Sequence, residues 1–289
     1  MTLPTCDMVI SVFPSLHDVC PLKNGGQKSV FLAKSQEHGK VVIKAIQPNK
    51  ADARIEREID IVSRNNFHNV PRILSHTRKV LDGYEWLFIT EQYVDGDDLR
   101  TLLTRKGLMP YADVVVLLED LLTTACELEG AGIVHRDIKP DNILCSNIGR
   151  YWLLDFGIAR DMCQISLTET AARFGPHTAG YSAPEQFRNM KKKIDARTDL
   201  FSIGIVAYEA ITGKHPFAEE ATGYLDILKR TEAMHVNALS LPEDGSGEMS
   251  QFISVLMEKY PSRRPQTAKI AKNWFSEIVK KNGRTGDEA

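Results

Sequence analysis

The chain has 289 residues, 43% of them apolar and 26% charged, which excludes a disordered protein and is enough for one large domain or two medium ones. Its 38 acidic residues against 36 basic ones give a formal net charge of −2, so no chain-wide basic excess points to nucleic acid or to an anionic membrane surface. Five scattered cysteines (Cys6, Cys20, Cys126, Cys145, Cys163) fit neither a disulfide framework nor a zinc site, and predict reduced thiols in a cytoplasmic protein.

Met1-Thr-Leu-Pro-Thr-Cys-Asp7 does not read as a leader, and no apolar run approaches the roughly 20 residues that span a bilayer, so no membrane insertion is expected. Residues 1–22 carry Val9, Ile10, Val12, Phe13 and Leu16, which can pack on the lobe that follows or on a partner, packing on the lobe being the favoured reading. The apolar runs Ser29 to Ala33 and Val41 to Ile46, joined by Gln36-Glu-His-Gly-Lys40, predict a β-hairpin. From Lys50 to Ser63, Ile55, Ile59 and Val62 fall on one helical face. Two more apolar runs, Val70 to Leu74 and Trp86 to Thr90, complete a small sheet carrying one helix. Tyr93-Val-Asp-Gly-Asp-Asp98 then breaks the pattern as a turn-rich acidic segment, and a lobe boundary is placed there. Pro110 opens a helix striped by Val114, Leu117, Leu118, Leu121, Ala125 and Leu128 and stopped at Gly130-Ala-Gly132. Residues 198–212 are apolar on nearly all sides, the mark of a buried helix, and the tail is polar.

His135-Arg-Asp-Ile-Lys-Pro-Asp-Asn142, a strand pair turning at Ser146-Asn-Ile-Gly149, Asp155-Phe-Gly157 and Ala183-Pro-Glu185 follow one another in an order that resembles the protein kinase superfamily, Ser/Thr kinases in particular. The resemblance implies an α+β, bilobal fold: a small antiparallel sheet with one main helix in the N-lobe (1–93, with an extension over 1–22), a hinge at 94–96, a mainly helical C-lobe (97–282) and a polar tail (283–289). It also implies phosphoryl transfer from Mg-ATP, with Mn²⁺ as a second choice of ion, to Ser/Thr hydroxyls of protein substrates. That reaction spreads charge over the transferring oxygens, so the protein mainly positions groups and neutralises charge. Asp137 matches the residue that accepts the acceptor's proton. Asn142 and Asp155 match the metal ligands, and Lys139 matches the γ-phosphate lysine of Ser/Thr kinases. Lys44, ending Val41-Val-Ile-Lys44, resembles the lysine that holds the α- and β-phosphates. Its expected partner is Glu58, beside Ile55, Ile59 and Val62 at the margin of the apolar face, where a carboxylate needs a partner; Glu56 points more nearly outward.

The family's glycine-rich pattern, anchored on Val30, calls for glycine at 23, 25 and 28, where this chain has Lys23, Gly25 and Lys28, with Gly26 added. Backbone amides from Gly25 to Ser29 can still cradle phosphates, and Lys28 can add charge. Val30 and Val42 above the adenine, Leu144 below it and hinge backbone from Gln92 to Val94 complete the nucleotide pocket that the resemblance implies. An ungapped match puts Glu91 at the entrance to the rear pocket, a charged residue where the family's eukaryotic members rarely have one. Thr178 matches the threonine that contacts the catalytic Asp and Lys. Arg136 marks kinases switched on by phosphorylation, with Thr170, Thr168 and Ser166 as candidate sites beside Arg160 and Arg173. Glu185 is expected to pair with Arg264, and Asp199 to hold the catalytic loop. The compact motif set looks most like a free-standing bacterial or phage-type kinase that phosphorylates its own activation segment. A pseudokinase acting as a binding module, and a small-molecule phosphotransferase, are the alternatives.

Overall fold

A computed structural model describes residues 3–25, 28–47, 53–155, 180–236 and 239–285, with the side chains of 23–25, 53–58 and 283–285 outside that description. The chain divides into two compact units, one running to Asp95 and including Asp155, the other running from Gly96 to Leu154 and over the described residues from 180 onward.

The first unit is built on a five-stranded antiparallel sheet ordered β1-β2-β3-β5-β4, from β1 (His17–Gly25), β2 (Lys28–Ser35), β3 (Gly39–Ile46), β4 (Ile73–Leu81) and β5 (Tyr84–Gln92). Helix α1 (Cys6–Val12) precedes the sheet and α2 (Ala53–Arg64) follows β3. Local chemistry sets the turns. Ser35 Oγ accepts from the N–H groups of Glu37 and His38 before Gly39 at φ +66°, which closes the β2–β3 hairpin. Asp82 and Gly83, both at positive φ, make the two-residue turn between β4 and β5.

Because directly opposed residues share a face of the sheet, the register sorts this unit's side chains. Phe31, Ala33, Val41, Ile43, Ala45, Trp86 and Phe88 form one buried layer, covered by Val9 and Leu16, with Phe13 packed edge to face on Phe88. Residues 3–22 are therefore a helix and most of an edge strand; Val9, Val12, Phe13 and Leu16 pack on this unit, whereas Ile10 is exposed. The opposite face carries Lys28, Val30 and Leu32 beside Val42, Lys44 and Ile46, and these beside Leu87, Ile89 and Glu91. Ile59 and Val62 of α2 are buried, as their spacing predicts.

The second unit is mainly helical. A small sheet of β6 (Gly96–Asp98), β7 (Ile143–Ser146) and β8 (Tyr151–Leu153) accompanies α3 (Leu99–Lys106), α4 (Tyr111–Gly130), α5 (Pro184–Phe187), α6 (Ala196–Thr212), α7 (Tyr224–Ala233), α8 (Glu248–Leu256) and α9 (Ala268–Thr285). The end of the acidic segment is thus a strand and a cap. Asp98 accepts from Thr101 N–H at the start of α3, satisfying one of that helix's free donors. Helix α6 is buried on nearly every side and packs against α4 and α8. A Cβ on Gly204 would lie 2.8 Å from Leu256 Cβ, so glycine lets α6 and α8 approach. Helix α9 continues to Thr285, into the stretch read as polar tail. Cys6, Cys20, Cys126 and Cys145 are free thiols, and among the described residues no helix is long and apolar enough to cross a membrane.

Candidate active site

In the first unit, four charged side chains converge on the sheet face that also carries Val30 and Val42. Lys44 Nζ lies 2.7 Å from Asp155 Oδ1 and also bonds the Glu91 carboxylate. Lys28 Nζ lies 2.5 Å from the same Asp155 oxygen. Lys44 and Glu91 are buried, 7% and 9% exposed, so neither can hold its charge without the other groups. Burial opposes ionisation of Lys44, but Asp155 and Glu91 outweigh it and hold its pKa above the ordinary lysine value. Asp155 shows the mirror case: burial pushes its carboxyl up, and the two lysines together bring it well below the usual range. For Lys28, burial wins and lowers the pKa.

Register explains the Glu91 contact. Lys44 faces Ile89 across β3 and β5, and Glu91 is the diagonal neighbour two residues on, within reach of a long side chain. Glu58 sits on α2, but its side chain lies outside the described residues. Gly25 closes the β1–β2 hairpin opposite Lys28, and Gly26 lies outside the described residues. Gln92 ends β5, where its N–H donates to Arg72 O at 2.9 Å, and Val94 follows within the same unit.

In the second unit the loop before β7 gathers Asp137, Lys139 and Asn142. Asn142 Nδ2 donates to both the backbone oxygen and Oδ2 of Asp137, each at 2.8 Å, and Lys139 Nζ lies 3.1 Å from Oδ2. Asn142 thus uses its amide hydrogens on Asp137 and keeps Oδ1, an oxygen ligand. The loop is held from beneath: Asp199 of α6 accepts from the N–H groups of His135 at 2.7 Å and Arg136 at 2.8 Å. Arg136 has φ +66°, uncommon for a non-glycine residue, and the paired N–H bonds fix that conformation. Burial pushes the Asp199 carboxyl up to about 6, against the N–H bonds that favour its charge. Leu144 lies on β7 opposite Asp98 and Trp152.

Two further sets of contacts tie this loop to its surroundings. Gln186 Nε2 donates to Arg136 O at 2.9 Å and Gln186 Oε1 accepts from Ala183 N–H at 3.0 Å. Arg100 of α3 lies 2.8 Å from Glu209 Oε1 and 3.6 Å from Asp141 Oδ2, and it bonds the Tyr181 hydroxyl, which itself donates to Glu209. Arg264 forms the expected pair with Glu185, bidentate at 2.7 and 3.1 Å, and Thr198 adds a bond at 2.9 Å. Thr178, the candidate phosphorylation sites Ser166, Thr168 and Thr170, and Arg160 and Arg173 lie outside the described residues.

Sequence reasoning did not reach the roles of Arg100, whose partners Asp141 and Glu209 are 41 and 109 residues away, and Gln186, which bonds Arg136 50 residues away. It also missed the Glu91 partner of Lys44, for which alternation within one strand gives no signal, because the register between β3 and β5 sets it.

Residues 18–276 match the protein kinase domain family model. The chain is 29% identical over 258 residues to the serine/threonine-protein kinase PknA of Corynebacterium glutamicum, covering 83% of this chain and 51% of that one. It is 30% identical over 273 residues to the serine/threonine-protein kinase pkn3 of Myxococcus xanthus, covering 90% and 49%. Over 134 residues it is 40% identical to the serine/threonine-protein kinase PknL of Mycobacterium tuberculosis, covering 46% and 33%. The chain spans about half the length, or less, of these curated relatives.

Proposed function

The chain belongs to the protein kinase family, and from that premise we propose that it is a Ser/Thr protein kinase, transferring the γ-phosphate of ATP to serine or threonine hydroxyls of protein substrates. The observation that carries this reading is the Asp137 carboxylate, fixed by Asn142 and Lys139 on a loop that Asp199 holds. A carboxylate so fixed can orient an acceptor hydroxyl and take its proton as the oxygen bonds to phosphorus and the bridging oxygen leaves with ADP. Lys139 is placed to meet charge on the transferred group. Its position two residues after Asp137 favours Ser/Thr as acceptor.

Lys44 and Lys28 offer ammonium groups to the phosphates, beside the apolar Val30 and Val42 that suit a base; the family pattern adds Gln92 to Val94 as backbone partners and Leu144 as a further apolar residue for the base. Glu58 and Thr178 keep the positioning roles that the family pattern gives them. The family pattern assigns Asn142 and Asp155, both with hard oxygen donors, to a divalent cation, Mg²⁺ or Mn²⁺, whose charge offsets that of the phosphates. The lobe division at 93 to 97, the cytoplasmic location supported by free thiols, and autophosphorylation between Ser166 and Thr178 belong to the same proposal.

The test is transfer from γ-labelled ATP to the protein itself and to a generic basic protein, with Mg²⁺ and with Mn²⁺. Asp137→Ala should lower transfer by about 10²- to 10⁴-fold. Equal transfer by the mutant, or ATP binding by the wild type with no transfer, would overturn the reading and favour a binding module. Mapping of phosphosites in the wild-type product checks the autophosphorylation sites.

A further inference from the structure

We infer that Lys28 is a second phosphate-binding lysine of the nucleotide site, restoring the positive charge that Glu91 removes from Lys44. The inference rests on the ATP-dependent reading above. Lys28 stands where the family pattern has its last glycine, and its side chain lies on the sheet face of Val30 and Lys44. Lys28 and Lys44 converge on one oxygen, Asp155 Oδ1, at 2.5 and 2.7 Å. Two ammonium groups that close repel unless an anionic oxygen sits between them. The face is therefore already built as a two-cation receptor for one anionic oxygen.

The charges explain why two lysines are needed. Glu91 is buried against Lys44, where water screens their attraction little, so Lys44 alone brings no net charge to a polyphosphate. Two ammonium groups against Glu91 and Asp155 make the four-residue set neutral, and without Lys28 it would carry a net negative charge. Asp155 cannot give Oδ1 at full strength both to two lysines and to a divalent cation. The lysines then need another anion, and a nucleotide polyphosphate is the anion that accompanies such a cation. The positions of β2, β3 and β5 around the two lysines on that face, Val30, Leu32, Val42, Ile46, Leu87 and Ile89, are apolar and offer the phosphates nothing.

Equilibrium binding of Mg-ATP and of adenosine to the full chain tests this. Lys28→Met should weaken Mg-ATP about ten- to hundredfold, the size of a lost charge-assisted contact, with adenosine unchanged within about twofold. Lys28→Arg, which keeps the charge, should stay within about threefold of wild type for Mg-ATP. Glu91→Gln should tighten Mg-ATP, and the double variant Lys28→Met, Glu91→Gln should recover most of the loss. Unchanged Mg-ATP affinity in Lys28→Met overturns the inference, as does tighter binding, which would make Lys28 a lock on Asp155. Equal losses for ATP and adenosine also overturn it, since the residue would then only support the fold. A wild type that binds adenosine but not ATP overturns the nucleotide reading along with it.

Discussion

Asp199 places a carboxyl, 2% exposed, beneath two backbone N–H groups, and the balance between burial and those bonds leaves its pKa near 6. In the unfolded chain the same group titrates near 3.9. Between those values the folded protein binds more protons than the unfolded one, so this group's contribution to stability is fully present below about pH 4. It declines as pH rises through about 6 and is constant above. The span corresponds to about 3 kcal/mol. Asp199→Asn removes the titration along with the charge. The stability difference between wild type and Asp199→Asn should therefore be largest near pH 4 and smaller near pH 7.5, as read from urea midpoints at each pH. A difference that is flat with pH, or that grows toward neutrality, would show that Asp199 does not carry the raised pKa.

Helix α3 packs on the turn over Pro140–Asn142, and Arg100 is its charged link to that loop. Its guanidinium joins Asp141, next to Asn142 in the catalytic loop, to Glu209 on α6 and to Tyr181 just before Ala183-Pro-Glu185. Arg100 is a positioning residue, because it acts through Asp141 and Tyr181. Arg100→Met leaves the buried Glu209 carboxylate with one hydroxyl bond, and since the arginine is 27% exposed, the cost should be about 1 to 3 kcal/mol. The kcat should fall while the KM for ATP stays near wild type, and Tyr181→Phe should give a smaller version of the same split. A rise in the KM for ATP with kcat unchanged would contradict the assignment. Elements of this kind show how far the sequence could be read. The β2–β3 hairpin, the stripe of α4 and the buried α6 are written in local periodicity, and the Glu185–Arg264 pair and the Asp199 support followed from ordered motifs. The Asp82-Gly83 turn was an equally local signal that the reading passed over. The register that puts Glu91 on Lys44 and the helix that puts Arg100 on Glu209 are set by pairing between distant segments, which alternation or charge along one segment cannot specify.

Each unit closes its own apolar layer, and the first depends on residues that carry none of the family's motifs. Thr5 caps α1 by accepting from Met8 N–H, and the helix sets Val9, fully buried, on the sheet while Phe13 meets Phe88 at a ring separation of 5.6 Å. Burying side chains of this size contributes about 1.5 to 3 kcal/mol each, and an edge-to-face aromatic pair adds about 0.5 to 1.5 kcal/mol. Those sums are comparable with the net stability of a whole domain, about 5 to 15 kcal/mol. Removing residues 1–13 should therefore open the first unit locally, because Phe31, Ile43, Trp86 and Phe88 would face water. Hydrogen exchange should rise sharply in peptides from β2, β3 and β5, while peptides from α6, whose buried side chains belong to the other unit, keep their protection. Phe13→Ala should show the same pattern at smaller amplitude. Unchanged protection in β2, β3 and β5 after the truncation would mean that the sheet holds that layer without α1.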